Sequence, residues 1–166
     1  MKENFTIRPL NDDDREWVKQ FIAWQWGVEI IVIHGTVYRA EMLSGFAAIC
    51  GDEIAGVITY HIDGDACEIV TLDSLEINLG IGTALIDAVR LRARQAGCKR
   101  LWLITTNDNL TALRFYQKRG FTLAALHRNA LEQSRKIEPE IPLVGDHGIP
   151  LRDEIELEMM LDGAEE

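Results

Sequence analysis

Between residues 45 and 72 the chain carries three apolar runs, "GFAAIC", "IAGVITYHI" and "ACEIVTL", separated only by the turns "GDE" and "DGD". Connections this short join strands as hairpins and leave no room for a crossover helix, so the three runs predict an antiparallel meander. The period changes on either side of it. Upstream, "FTIRPL" alternates and reads as a first strand, and Asn11 and Asp12 are N-cap candidates before "DDREWVKQFIAWQW". There Trp17, Phe21 and Trp24 fall at i, i+4 and i+7, the spacing of an amphipathic helix. "EIIVIHG" and "TVYRA" are short β-like runs about a turn at His34-Gly35.

Downstream, Ile81, Leu85, Ala88 and Val89 form the apolar stripe of a helix from about Gly82 to Gln95, with Gly97 placed to end it. "RLWLITT" reads as a buried strand, "NDN" opens the helix "LTALRFYQKR", Gly120 ends it, and "FTLAALH" follows as a strand. "IEPEIPLVGDHGIP" holds three prolines and reads as a loop. "EIELEMML" alternates acid with apolar residues, a last, half-exposed strand that either pairs with its copy in a homodimer or keeps a soluble edge through its glutamates. This order predicts a mixed α/β (α+β) fold in one domain over residues 1–166, a largely antiparallel sheet with helices on its faces.

Charge narrows the partners. The net charge of −10 argues against nucleic acid and anionic membrane surfaces, which need a basic face; it is weakly permissive for a cationic substrate, and its blander reading is solubility. No run of about 18 apolar residues is present, and "MKENFTIRPL" lacks the apolar core of a signal peptide. Cys50, Cys67 and Cys98 sit far apart in apolar runs, as suits reduced thiols in a cytoplasm, and no Cys/His cluster suggests a metal.

The stretch "SLEINLGIGTALI" joins a strand to a helix through Gly80-Ile81-Gly82. The first amides of a helix have no internal partners, and glycine lets backbone approach a ligand closely, so this turn either holds an anion without a lysine or is a tight strand-to-helix connection that binds nothing. A P-loop lysine and a third dinucleotide-binding glycine are both missing. Further on, in "NDNLTALRFYQKRGF", Asn109 and Tyr116 lie two helical turns apart, with small Ala112 between them on the same face.

Together these two stretches resemble the GNAT superfamily of acetyl-CoA-dependent N-acetyltransferases. "INLGIGTALIDAV" looks like its pyrophosphate loop, Gln/Arg-x-x-Gly-x-Gly/Ala, and "NDNLTALRFYQKRGF" like its Asn-x-x-Ala-x-x-x-Tyr-x-x-x-Gly-Phe segment. The order of elements over about residues 4–128 also fits. The resemblance implies a twisted sheet splayed between "ACEIVTL" and "RLWLITT", with acetyl-CoA as co-substrate. Leu72, Asn78, Leu79, Gly80, Ile81, Gly82, Thr83, Asn109, Ala112 and Tyr116 would bind it. One departure is plain: Ile77 stands at the Gln/Arg position, so backbone amides and the Thr83 hydroxyl must serve, and Glu76 and Asp73 must point away. Arg114, Lys118 and Arg119 either assist the outer phosphates or form a solvated face.

The implied chemistry is transfer of the acetyl group to a primary amine of a small molecule or peptide, by direct attack. Tyr116 would be the general acid toward the leaving sulfur. Glu68 is either a general base desolvated in its strand or a solvent-facing strand residue. Trp26, His34 and Tyr38 are the acceptor-site candidates, with Trp24 and His147 behind them. The alternative is a GNAT-fold module that binds CoA as a sensor without catalysis.

Overall fold

The order of short-looped strands and helices is realised closely. The computed structural model describes residues 4–75 and 80–161. Along the chain run β1 (Thr6–Pro9), α1 (Arg15–Trp26), β2 (Ile31–Ile33), β3 (Thr36–Tyr38), β4 (Ser44–Cys50), β5 (Glu53–Asp63) and β6 (Ala66–Ser74). Then follow α2 (Ile81–Gln95), β7 (Arg100–Thr106), α3 (Leu110–Lys118), β8 (Thr122–His127), α4 (Ala130–Ile137) and β9 (Glu154–Met160). The strand order is β1-β4-β5-β6 in one stretch of sheet and β7-β9-β8 in another, and β2 pairs with β3. The described chain clusters into two compact units. Glu76, Ile77, Asn78 and Leu79 lie outside the described residues.

The first unit comprises Met1–Glu29, Arg39–Leu101 and Met160–Glu166. The meander is here: β4 pairs antiparallel with β5, and β5 with β6. Residues 55–60 of β5 are all buried, so both faces of the strand are covered, which explains its unbroken apolar run. One face receives α2, whose Ile81, Leu85, Ile86, Val89 and Ala93 are buried. Gly56 lets that helix approach: a Cβ there would stand 2.7 Å from Ile81 Cγ2 and 3.0 Å from the Asp73 carbonyl oxygen.

α1 begins later and packs differently from the expected pattern. Asn11 caps a short 3-10 turn, accepting from the Asp13 amide at 2.9 Å, while Asp14 Oδ2 accepts from the Asn11 amide at 2.8 Å. Arg8 grips both oxygens of Asp14 at 2.7 and 2.9 Å, and that pairing holds the Asp14 carboxyl below the usual carboxylate range. The buried stripe is Val18, Phe21 and Ile22, not Trp17, Phe21 and Trp24. Trp17 stacks on Phe21 with centroids 5.0 Å apart, and Trp24 is 74% exposed. The aliphatic residues one step along the helix fill the core, which leaves the indoles at its margin.

The second unit comprises Ile30–Tyr38 and Trp102–Met159. Here the alternating last strand is not an edge. β9 lies between β7 and β8, and its pairing with β8 runs from Thr122↔Glu158 to His127↔Glu154. The expected route to a homodimer through β9 is therefore closed, because both its sides are occupied; alternation reports which face is buried, not the order of strands in the sheet. α4 occupies residues read from sequence only as the stretch between strand and loop. Arg135 on it donates to the carbonyls of Ile141, Pro142 and Leu151 at 3.2, 2.7 and 2.5 Å, which ties down the proline-rich loop.

Candidate functional site

In the first unit the site residues sit on β6 and at the start of α2. A bulge in β6 sets their direction. Thr59 pairs with Thr71 and Tyr60 with Ile69, so Val70 is the extra residue. Directly opposed residues share a face, so Glu68, Thr71 and Asp73 stand with His61, Thr59 and Val57, and Leu72 stands with Ile58 on the α2 side. Glu68 is 4% exposed, so the reading of it as a solvent-facing strand residue fails. Thr59 and Thr71 are buried and bonded hydroxyl to hydroxyl at 2.6 Å. Burial pushes the Asp73 carboxyl up, and the Trp26 indole N–H, 3.2 Å from Oδ2, pulls it back.

Trp26, an acceptor candidate, is therefore held on the Glu68 face by Asp73. Gly80 takes φ 79°, a left-handed conformation open to glycine, as the N-cap of α2. Ile81 is buried, while Gly82 and Thr83 are half-buried. Burial raises the Cys67 thiol to about 12, with Cys98 and Glu68 adding to the shift, so it is no nucleophile at neutral pH.

In the second unit three consecutive residues organise α3. Asn107 Oδ1 accepts from the Arg152 and Asp153 amides at 3.1 and 2.9 Å. Asp108, 6% exposed, accepts from the Thr106 hydroxyl at 2.5 Å and from the Asp146 amide at 2.8 Å. Asn109 is the N-cap, its Oδ1 accepting from the Ala112 amide at 3.1 Å. The segment seen in the sequence as a helix opener thus also anchors the loop ahead of β9. Two turns on, Tyr116 is 9% exposed, its ring edge-on to Phe115 and Phe121 at 5.2 and 5.5 Å. Arg119 folds back over Phe115, 3.6 Å from the ring centroid, whereas Arg114 and Lys118 are exposed.

His34 and Tyr38 flank the β2–β3 hairpin. His34 takes φ 48° and Gly35 φ 80° at its turn. The His34 amide donates to Glu154 Oε2 at 3.1 Å, and its ring lies 4.2 Å from that of His127. His127 Nε2 is 3.0 Å from Glu156 Oε1. Sequence reading singled out His34 but missed His127, Glu154 and Glu156. The one signal for the two glutamates is the even spacing of the acids in β9, which a half-exposed strand also shows. Tyr38 pairs with Ile31 across the hairpin and is half-buried.

A strand-to-helix glycine turn and an Asn-capped helix bearing a buried tyrosine are the features on which a family comparison can be judged. The model of the Acetyltransferase (GNAT) family matches residues 6–121. The chain belongs to the GNAT acetyltransferase family. It is 46% identical over 157 residues to the "Uncharacterized protein YdhI" of Bacillus subtilis, covering 94% of this chain and 98% of that one. Among solved structures, the GNAT fold recurs in a GNAT family acetyltransferase from Elizabethkingia anophelis with acetyl-CoA bound. It is 24% identical, with a TM-score of 0.68, over 96% of this chain and 100% of that one. It recurs again in an IAA acetyltransferase from Bacillus cereus ATCC 14579, 20% identical with a TM-score of 0.69, over 95% and 100% of the two chains. No helix among the described residues of this GNAT chain is long and apolar enough to cross a membrane.

Proposed function

We propose that the protein transfers the acetyl group of acetyl-CoA to a primary amine of a small molecule or peptide by direct attack. The observation that carries this reading is the buried Tyr116 two turns beyond the Asn109 cap, in a chain of the GNAT family. When bound, acetyl-CoA supplies a thioester carbonyl for the amine to attack and a thiolate to leave. The left-handed Gly80 and the first amides of α2 fit its phosphates, since a helix N-terminus presents N–H groups and partial positive charge. Asn109, Ala112, Leu72 and the 78–83 segment are assigned to the rest of the co-substrate.

Two groups of the chain then move protons. Glu68, buried on β6, takes the proton that the amine nitrogen must lose before or during attack. Tyr116 gives its phenolic proton to the departing sulfur as the C–S bond breaks, and regains one from solvent or product. The balance is amine plus thioester to amide plus thiol, with no oxidant and no metal needed. Trp26, His34 and Tyr38 are the acceptor-side candidates. The decisive experiment is release of free thiol from acetyl-CoA in the presence of polyamines, aminoglycosides, amino acids and peptides. Amine-dependent release is expected; its absence across the panel, with acetyl-CoA still bound, would favour a non-catalytic CoA-binding module. Ile77 in place of a Gln or Arg is the feature that favours that second reading.

A further inference from the structure

Glu154 is the first residue of β9, and its side chain is 3% exposed. A buried carboxylate is costly unless each oxygen finds a donor. Oε2 has one, the His34 amide at 3.1 Å. Oε1 is buried and has no hydrogen-bond partner among the described residues. His34 Nδ1 stands 3.4 Å from Oε1, within ion-pair range but not in hydrogen-bond geometry. That imidazole is 53% exposed, on the solvent side of a carboxylate that is 3% exposed. Behind it lies the His127 ring, itself engaged by Glu156. The cluster therefore offers an inward-facing anionic acceptor, two imidazole faces and a second carboxylate at its rim. Among the described residues no three His, Cys, Asp or Glu are placed to share a metal ion.

We propose that Glu154 Oε1 is the anchor of a binding site for an organic cation with N–H donors, an ammonium or guanidinium group, with His34 as its movable cover. We further assign that cation to the acceptor of the transfer reaction, an assignment that rests on the function proposed above. A protonated nitrogen satisfies Oε1 as water or an uncharged amine does not, because a charge-assisted bond also offsets the buried charge. The flat imidazole faces suit the carbon chain or guanidinium plane behind it.

The test is titration of the full chain with putrescine and agmatine at one fixed pH, read on the His34 and His127 ring-proton resonances. Saturable shifts are expected with both amines and none with butanediol, a comparison made entirely in the wild-type protein. Glu154→Gln keeps an acceptor for the His34 amide and should weaken putrescine binding about tenfold or more. His34→Ala, read on His127, should bind putrescine at least as tightly, since the cover is gone and the anchor remains. Butanediol shifts equal to those of putrescine, no shift with either amine, or loss of binding in His34→Ala would each overturn the site. Titration without acetyl-CoA separates the two claims. Ring shifts with no thiol release from any amine leave the site standing and sink the acetyl-transfer reading. Thiol release with unmoved rings does the reverse.

Discussion

Tyr116 and Glu68 are single side chains whose roles separate cleanly in kinetics. Tyr116→Phe keeps the packing against Phe115 and Phe121 and removes only the hydroxyl, so kcat should fall by about 10²-fold or more with little change in the acetyl-CoA KM. Unchanged turnover would remove Tyr116 from the acid role. A stability test belongs to Asp14, whose carboxyl is held down by Arg8. Its depressed folded-state value means that its contribution is present above the unfolded value of about 4 and is lost as pH falls through the lower folded value. Asp14→Asn should cost about 1 kcal/mol at neutral pH, a modest figure because Arg8 is 39% exposed. The gap to wild type should close below about pH 4 in urea unfolding at several pH values. The sequence marks Tyr116 through its phase with Asn109. It does not mark Glu154, because alternation of acid and apolar residues does not say which of the acids is buried, and in β9 only Glu154 among them is.

At the level of elements, the meander, α2 and α3 were legible because hydrophobic period and turn chemistry agree there. The bulge at Val70 was not. A one-residue slip reverses the side-chain phase of a strand, and nothing in "ACEIVTL" writes it out. It brings Glu68 and Asp73 onto one face, opposite α2. α4 also escaped, being only eight residues long and packed through Leu131 and Ser134. The close approach of α2 to β5 gives a prediction at this scale. Gly56→Ala places a Cβ against Ile81, Leu85 and the Asp73 carbonyl. It should lower unfolding stability by about 1–3 kcal/mol without changing the denaturant slope. A neutral result would mean that the helix can retreat freely from the strand.

For the molecule as a whole, family and element order came through from two short motifs, while strand order in the second unit did not. If acetyl-CoA is the co-substrate, binding must stabilise the folded state by mass action. At a hundred times its Kd the gain is about 2.7 kcal/mol, or about 5–10 °C in Tm for a chain of this size. No shift at millimolar acetyl-CoA would sink the proposed function. The seat of β9 has a kinetic consequence. β7 and β8 are separated by α3 alone, yet the strand that lies between them is made after the whole of 128–153. Until β9 threads into that slot, two neighbours present unsatisfied backbone edges, one of them bearing Leu123 and Leu126. Closing so long a segment is slow, so refolding should show a phase limited by insertion of β9, and self-association should compete with it as protein concentration rises.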